Sequence, residues 1–294
     1  MSSLARAIKR TALNPGVLIV NASLIVICAI CLLPVVWTIS SSLKDRHELY
    51  MTTPTLIPKN PTLANYEWML TRADMSRLPL NLWNSFKVAM GSVIIQCITA
   101  SMAGFAFARL RFRGRDLLFY TLIIMMFIPR AGGLMAVYEL MEFLGMRNSH
   151  LGLMLLFPSA ISVALFIMRQ NFLSIPRELE DAALIDGANT WQLFLNVDLP
   201  FVQGGIAVVA IFEFIYVWGE YLMTLTLIDF PELETVSIAV TKLRGWSAHF
   251  TSSLLAGYGT ECAAYTTAML PVIVVFVLMQ KWFVRGLSEG VLKM

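Results

Sequence analysis

Long apolar runs at about 17–39, 86–108, 117–140, 151–168, 202–228 and 263–284 divide this chain, and each is close to the roughly 20 residues a helix needs to cross a bilayer. Inside hydrocarbon every backbone amide must find its partner within its own helix. The pattern therefore predicts an all-α integral membrane protein of six transmembrane helices. Composition agrees where it bears on the choice. Of 294 residues, 57% are hydrophobic and 14% charged, against about 25% charged in an ordinary soluble domain. A net charge of +3, without a basic stripe interleaved with aromatics, points away from nucleic acid as a partner.

The first apolar run follows Arg6, Lys9 and Arg10, but it is longer than the roughly 7 to 15 residues of a cleavable signal's apolar region. It reads as an uncleaved first helix. Basic residues set the topology. Arg109, Arg111, Arg113 and Arg115 crowd the short second connection, and Lys281, Arg285 and Lys293 follow the last run. By the excess of Lys and Arg on inner loops, these segments and both termini are cytoplasmic. Lys44, Arg46, Lys59, Arg72 and Arg77 lie in the long connection 40–85, where they are spread among acidic residues and weigh less. The outer segments around Pro54, Pro58, Asn60 and Pro61, and from Asp229 through Trp246 to Thr260, are long enough to meet an external partner.

No motif carries chemistry of its own. Cys28 and Cys31 form C-x-x-C but sit among Ile, Val, Ala and Leu, and Cys97 is equally apolar in setting, so these cysteines read as small hydrophobes. The sequence has no G-x-x-x-x-G-K-[ST] phosphate loop, no G-x-S-x-G and no Cys/His cluster with zinc spacing. His47, His150 and His249 all fall in predicted outer segments. The expectation is a chain with no catalytic residue, no bound metal and no bound cofactor.

The inner connection 172–200 is the most informative stretch. Pro176 suits a helix start, and Glu178, Glu180 and Asp181 put negative charge near the positive end of the helix dipole. Gly187 can take the left-handed backbone that ends a helix, and Asn189 with Gln192 makes a cap for the next. The punctuation predicts helix, tight turn, helix. Leu179, Ala182 and Ala183 fall on one face at i, i+3 and i+4. Patterning alone leaves two readings of that face: docking onto another protein, or packing on the chain's own helix ends.

Here the residues carry a resemblance. Asp181-Ala182-Ala183, three residues, Gly187, nine residues, then Val197-Asp198-Leu199-Pro200 resembles the E-A-A-x3-G-x9-I-x-L-P loop of permease subunits of binding-protein-dependent ABC importers, with Asp181 for Glu and Val197 for Ile. Ser41-Ser-Leu-Lys44, Pro58 to Tyr66, Asn84-Ser85 and the tail from Phe283 to Lys293 are similar to the carbohydrate branch, specifically its smaller maltose-type permease. Trp218-Gly219-Glu220-Tyr221 departs from that branch's Trp-Asn-Asp-Phe.

The resemblance implies the type I ABC importer permease fold in a bacterial cytoplasmic membrane. It also implies a second homologous permease, two ATP-binding subunits carrying ATP and Mg, an external substrate-binding protein and a carbohydrate cargo. Glu180, Asp181, Ala182, Ala183, Gly187, Leu199 and Pro200 would form the ATPase-coupling loop.

Glu213, in the middle of the fifth run, is the clearest ionisable group within a span, and such groups default to a functional reading. It faces a solute pathway, or it pairs with Arg130 or Lys87. Trp218 and Glu220, towards the outer end, are further pathway candidates. An ion-coupled secondary transporter with Glu213 as its ion site is the alternative reading, and it would normally show internal repeats and broken helices. Ala100, Gly104 and Ala108 repeat at four-residue spacing, a smooth face for close helix packing.

Overall fold

A computed structural model describes residues 15–51, 53, 55–71, 77–249 and 257–291. Arg6, Lys9, Arg10, Pro54, Arg72 and Lys293 lie outside them. The chain divides into two compact units, Met1–Met75 with Leu243–Thr267, and Ser76–Lys242 with Ala268–Met294.

In the first unit, α1 (Pro15–Ser42) is apolar on every side and exposed along most of its length. Such a helix suits hydrocarbon rather than water. Its end is buried in polar structure. Lys44 donates to the Thr55 carbonyl and lies over the Trp37 ring at 4.6 Å. Glu48 accepts from Thr55 Oγ1 at 2.6 Å and from the Lys59 amide at 3.0 Å, and the Thr55 bond leads in holding its carboxyl below the usual range. At the start of α2 (Ala64–Thr71), Asn65 donates to the carbonyls of Ser42 and Lys44. The Ser-Ser-Leu-Lys and Pro-Lys-Asn-Pro segments therefore fold upon each other.

The second unit is organised around α3 (Leu78–Arg109). At its N-terminal end Asn81 and Asn84 donate to the Glu232 and Glu234 carbonyls, and Ser85 Oγ accepts from the Val236 amide. Then follow α4 (Arg115–Ile124), α5 (Leu134–Phe143), α6 (His150–Leu156) and α7 (Ser162–Leu173). The row Ala100, Gly104, Ala108 is buried and lets α3 approach α7 closely: a Cβ on Gly104 would stand 2.6 Å from Met168 Cβ. The small face joins helices of one chain.

The connection 172–200 carries α8 (Arg177–Ile185), and after it come α9 (Gln203–Gly219), α10 (Leu222–Leu227), α11 (Val236–His249) and α12 (Tyr258–Val291). Among the described residues, three helices are long and apolar enough to cross a membrane unbroken: α1, α3 and Tyr258–Trp282 of α12. Counting bent pairs as single spans raises this to five. The range 117–140 is interrupted between α4 and α5, where Pro129, Gly132 and Gly133 stand. The range 151–168 is bent by 57° beyond Pro158. Proline lacks the amide that the helix ladder needs, and glycine adds backbone freedom, so these runs keep their hydrophobicity without staying straight.

Candidate functional site

Residues 172–200 form helix, turn, helix. α8 ends at Gly187 with φ +84, where the Ala188 amide donates to the Ala183 carbonyl and the Gly187 amide to the Leu184 carbonyl. These two bonds close the helix in the way a left-handed glycine permits. Asn189 and Gln192 then cap each other reciprocally, at 2.9 and 2.8 Å. A π-helical turn, Leu193–Asp198, follows, and the chain bends by 77° into α9.

The loop is anchored from within. Phe194 packs its ring 5.1 Å from Phe105 on α3 and 6.2 Å from Phe172 on α7. Ala183 and Leu199 pack onto the same buried cluster. The two alanines thus part company: Ala183 faces inward, whereas Asp181 and Ala182 are exposed. Exposed apolar Leu179, Ile185 and Trp191 accompany Ala182 on the outside, and Pro200 is exposed at the bend. The face is therefore divided: Ala183 packs on the chain's own helices, and Ala182 does not.

Beside the aromatic anchor lies a buried ionic cluster. Arg109, the last residue of α3, donates through Nη2 to the Ile175 carbonyl at 2.8 Å and forms a 2.5 Å ion pair with Glu180 Oε1. Asp198, at the end of the π turn, is fully buried. Neither of its oxygens has a hydrogen-bond partner among the described residues. Burial and the neighbouring Glu180 push its carboxyl up to about 6, against the pull of Arg109. Burial also raises Glu180, opposed by Arg109 and Arg177 and assisted by Asp181.

Asp198 is raised from its ordinary 3.8 to about 6 in the folded chain, so between those values the folded chain holds a proton that the unfolded chain has already released. Stability is therefore greatest below about 4, declines as pH rises towards about 6, and levels off above it. An Asp198→Asn chain should match the parent's thermal midpoint near pH 4 and exceed it near pH 7. A parent-to-variant difference that stays constant across this range in detergent melts would contradict the assignment.

Within the same unit a cavity of about 850 Å³ opens between α3, α4, α7 and α9. Gln96, Phe157, Ser162, Phe212, Glu213 and Tyr216 are on its wall. Gln96, Ser162 and Glu213 are buried polar groups there; Ser162 Oγ donates to the Leu122 carbonyl at 2.6 Å, whereas Gln96 Oε1 has no hydrogen-bond partner among the described residues. Lys87, one base offered to Glu213 by the sequence, stands instead 3.5 Å from His150 Nδ1; the side chain of Arg130 is outside the described part. Trp218 and Glu220 are placed elsewhere. Trp218 stacks on Phe214 and donates to the Ala268 carbonyl at 3.0 Å, and Glu220 Oε1 accepts from the Met223 amide at the start of α10.

Gln96 carries no signal in the sequence beyond being a polar residue within the apolar run 86–108. Arg109 stands there only as one of a run of cytoplasmic arginines. Asp198 was legible as a lone acid between Val197 and Leu199, but its burial was not.

Residues 97–289 match the family described as binding-protein-dependent transport system inner membrane component. The chain is 30% identical over 258 residues to the galactooligosaccharides transport system permease protein of Bacillus subtilis (strain 168), spanning 87% of this chain and 88% of that protein. It is 30% identical over 281 residues to the maltose/maltodextrin transport system permease protein of Vibrio parahaemolyticus, spanning 90% and 92%. The fold is that of a chain in the crystal structure of a bacterial ABC transporter involved in the import of the acidic polysaccharide alginate, with a TM-score of 0.78, 23% identity, and coverage of 90% of this chain and 95% of that one.

Proposed function

Because the chain belongs to the binding-protein-dependent transport system inner membrane components, the permease subunits of bacterial ABC importers, we propose that it forms one half of a carbohydrate-translocating pore. As a multi-pass permease of that class it leaves ATP hydrolysis to partner subunits. The full proposal has six spans with both termini cytoplasmic, a second homologous permease, two ATP- and Mg-binding subunits seated on residues 172–200, and an external binding protein that delivers the solute.

The observation that carries this reading is the division of α8 into two faces. Ala183 and the Phe194 anchor hold the loop to the spans, while Leu179, Ala182 and Ile185 remain uncovered on the outside. A loop fixed on one side and apolar on the other is suited to passing displacement from a partner into the helices it is rooted in. Glu180 and Asp181 lie at its start, Gly187 at its turn, Leu199 and Pro200 at its return. A carbohydrate cargo is supported by the galactooligosaccharide and maltodextrin permeases among the relatives. It also suits a cavity with aromatic walls and a few buried polar groups.

Glu213 and Gln96 are the proposed solute contacts. Losing one hydrogen bond to a charged group costs about 1.5–3 kcal/mol. In vesicles holding the whole importer, Glu213→Gln should therefore raise the KM for uptake about tenfold or more, with the ATPase subunits still co-purifying. Solute accumulation against a gradient by the purified chain alone would instead support the ion-coupled reading and end this one.

A further inference from the structure

The Arg109, Glu180, Asp198 cluster contains one ion pair made and one unmade, and Glu180 Oε1, though ion-paired, has no hydrogen-bond partner among the described residues. Arg109 spends Nη2 on Glu180 and on the Ile175 carbonyl, yet its Nε is buried without an acceptor among the described residues. Asp198 is the complement: two buried acceptor atoms without a donor there. The carboxyl interacts electrostatically with both Arg109 and Glu180. A buried donor and a buried acceptor left unsatisfied in one cluster each carry a desolvation cost that their pairing would relieve.

The three residues also belong to three different elements. Arg109 ends α3, which carries Gln96. Glu180 is on α8, the helix proposed to receive the partner's push, and Asp198 is on the π turn that leads into α9 and Glu213. A π turn inserted in a helical lead is a common feature of functional sites. It puts the second acceptor on the element that bends into the cavity helix.

We infer that Arg109 is a two-position joint, paired with Glu180 in the present conformation and with Asp198 in the other state of the transport cycle. Arg109 and Asp198 are positioning residues. When α8 is displaced, Glu180 leaves and Asp198 takes the guanidinium, so the cytoplasmic end of α3 changes its tie from the coupling helix to the lead of α9. Two discrete pairings give the joint two discrete positions, which an apolar contact in the same place would not supply. The inference rests on the proposed reading of residues 172–200 as the loop that receives the ATPase subunits.

The decisive variant is Asp198→Leu in the complete importer, reconstituted with its binding protein. An Asp198 that braced the loop through contacts of its own would leave a less stable complex when removed. A buried, unpaired carboxyl replaced by a packed side chain does the opposite, and the transport ratio then tests the joint itself. The complex should keep or raise its thermal midpoint at pH 7, retain its ATPase subunits and hydrolyse ATP, while solute imported per ATP falls at least tenfold. In an Arg109→Gln background Asp198→Leu should bring no further loss of that ratio, since the exchange is already absent. An unchanged ratio in Asp198→Leu, a complex that melts earlier or fails to assemble, or additive losses in the double variant would each overturn the joint. If the parent chain itself does not hold the ATPase subunits through α8, the docking reading fails first.

Discussion

An Ala182→Arg chain is expected to reach the membrane at the parent's level and melt at the parent's temperature, yet to lose its ATPase subunits on purification and to support no ATP-driven uptake above background. Ala182 is exposed on α8 and touches nothing that holds the chain together, so the substitution leaves the fold alone. Glu178 and Asp186, four residues to either side, give the new guanidinium neighbours of opposite charge on the helix surface, worth about 0.2–0.5 kcal/mol per pair. A partner seated against a one-carbon side chain cannot seat against a six-atom extension of it. Changes at the centre of an interface cost about 2–4 kcal/mol, roughly a thirtyfold to thousandfold loss of affinity. Ala183→Arg is the contrast. It drives a charge into the Phe105, Phe172, Phe194 cluster, where an unpaired ion is not tolerated, so it should lower the melting temperature before any question of partners arises. Co-purification and thermal midpoint, measured together, separate the two. Retained ATPase subunits in Ala182→Arg would remove the docking reading.

The contrast between neighbouring alanines marks the limit of what the sequence discloses. A helix over 177–185, its end at Gly187 and the Asn189 cap were all legible, because each depends on local backbone chemistry: acidic residues at the start, a left-handed glycine, a reciprocal cap. The side of α8 that meets the core was not legible. Leu179, Ala182 and Ala183 share one stripe by spacing, yet of the three only Ala183 packs on the cluster that holds Phe105 and Phe194, residues 78 and 11 positions away.

Long-range contacts of this kind decide the rest of the site. Arg109 meets Glu180 across 71 positions, and nothing near either residue announces the pair. The hydrophobic runs gave the helices but not their shape. Hydropathy is a property of side chains, whereas the break between α4 and α5 and the 57° bend after α6 occur where Pro and Gly interrupt the backbone ladder. The sequence reading treated broken helices as a mark of the secondary-transporter alternative, but bending by itself does not separate the classes.

Gly104→Leu should have the largest effect of any single change on the body of the protein: loss of a monodisperse, folded chain in detergent. The physical reason is what a Cβ there would strike. It would lie 2.6 Å from Met168 Cβ and 3.0 Å from the Arg169 amide nitrogen and the Met168 carbonyl carbon, atoms fixed by the α7 backbone that cannot swing aside. The helices must separate, and with them the neighbouring contacts of Ala100 and Ala108. Small residues are what allow such approach between helices in a membrane, where no hydrophobic force presses them together. Overpacking of a tight core costs about 1–3 kcal/mol even for small additions, so Gly104→Ala should already lower the midpoint by several degrees. Gly91 tests whether space or backbone is responsible. A Cβ there would meet Met154 at 2.6 Å from Sδ and 2.8 Å from Cγ, the far part of a flexible side chain that can change rotamer. Gly91→Ala should therefore be nearly neutral, although its closest distance is the same. Because α3 carries Gln96 and Arg109 about 20 Å apart on one rigid rod, a partly folded Gly104→Ala importer should also transport less per ATP than Gly91→Ala. Equal midpoints for the two alanine variants would show that the α3–α7 approach is not fixed by backbone contact.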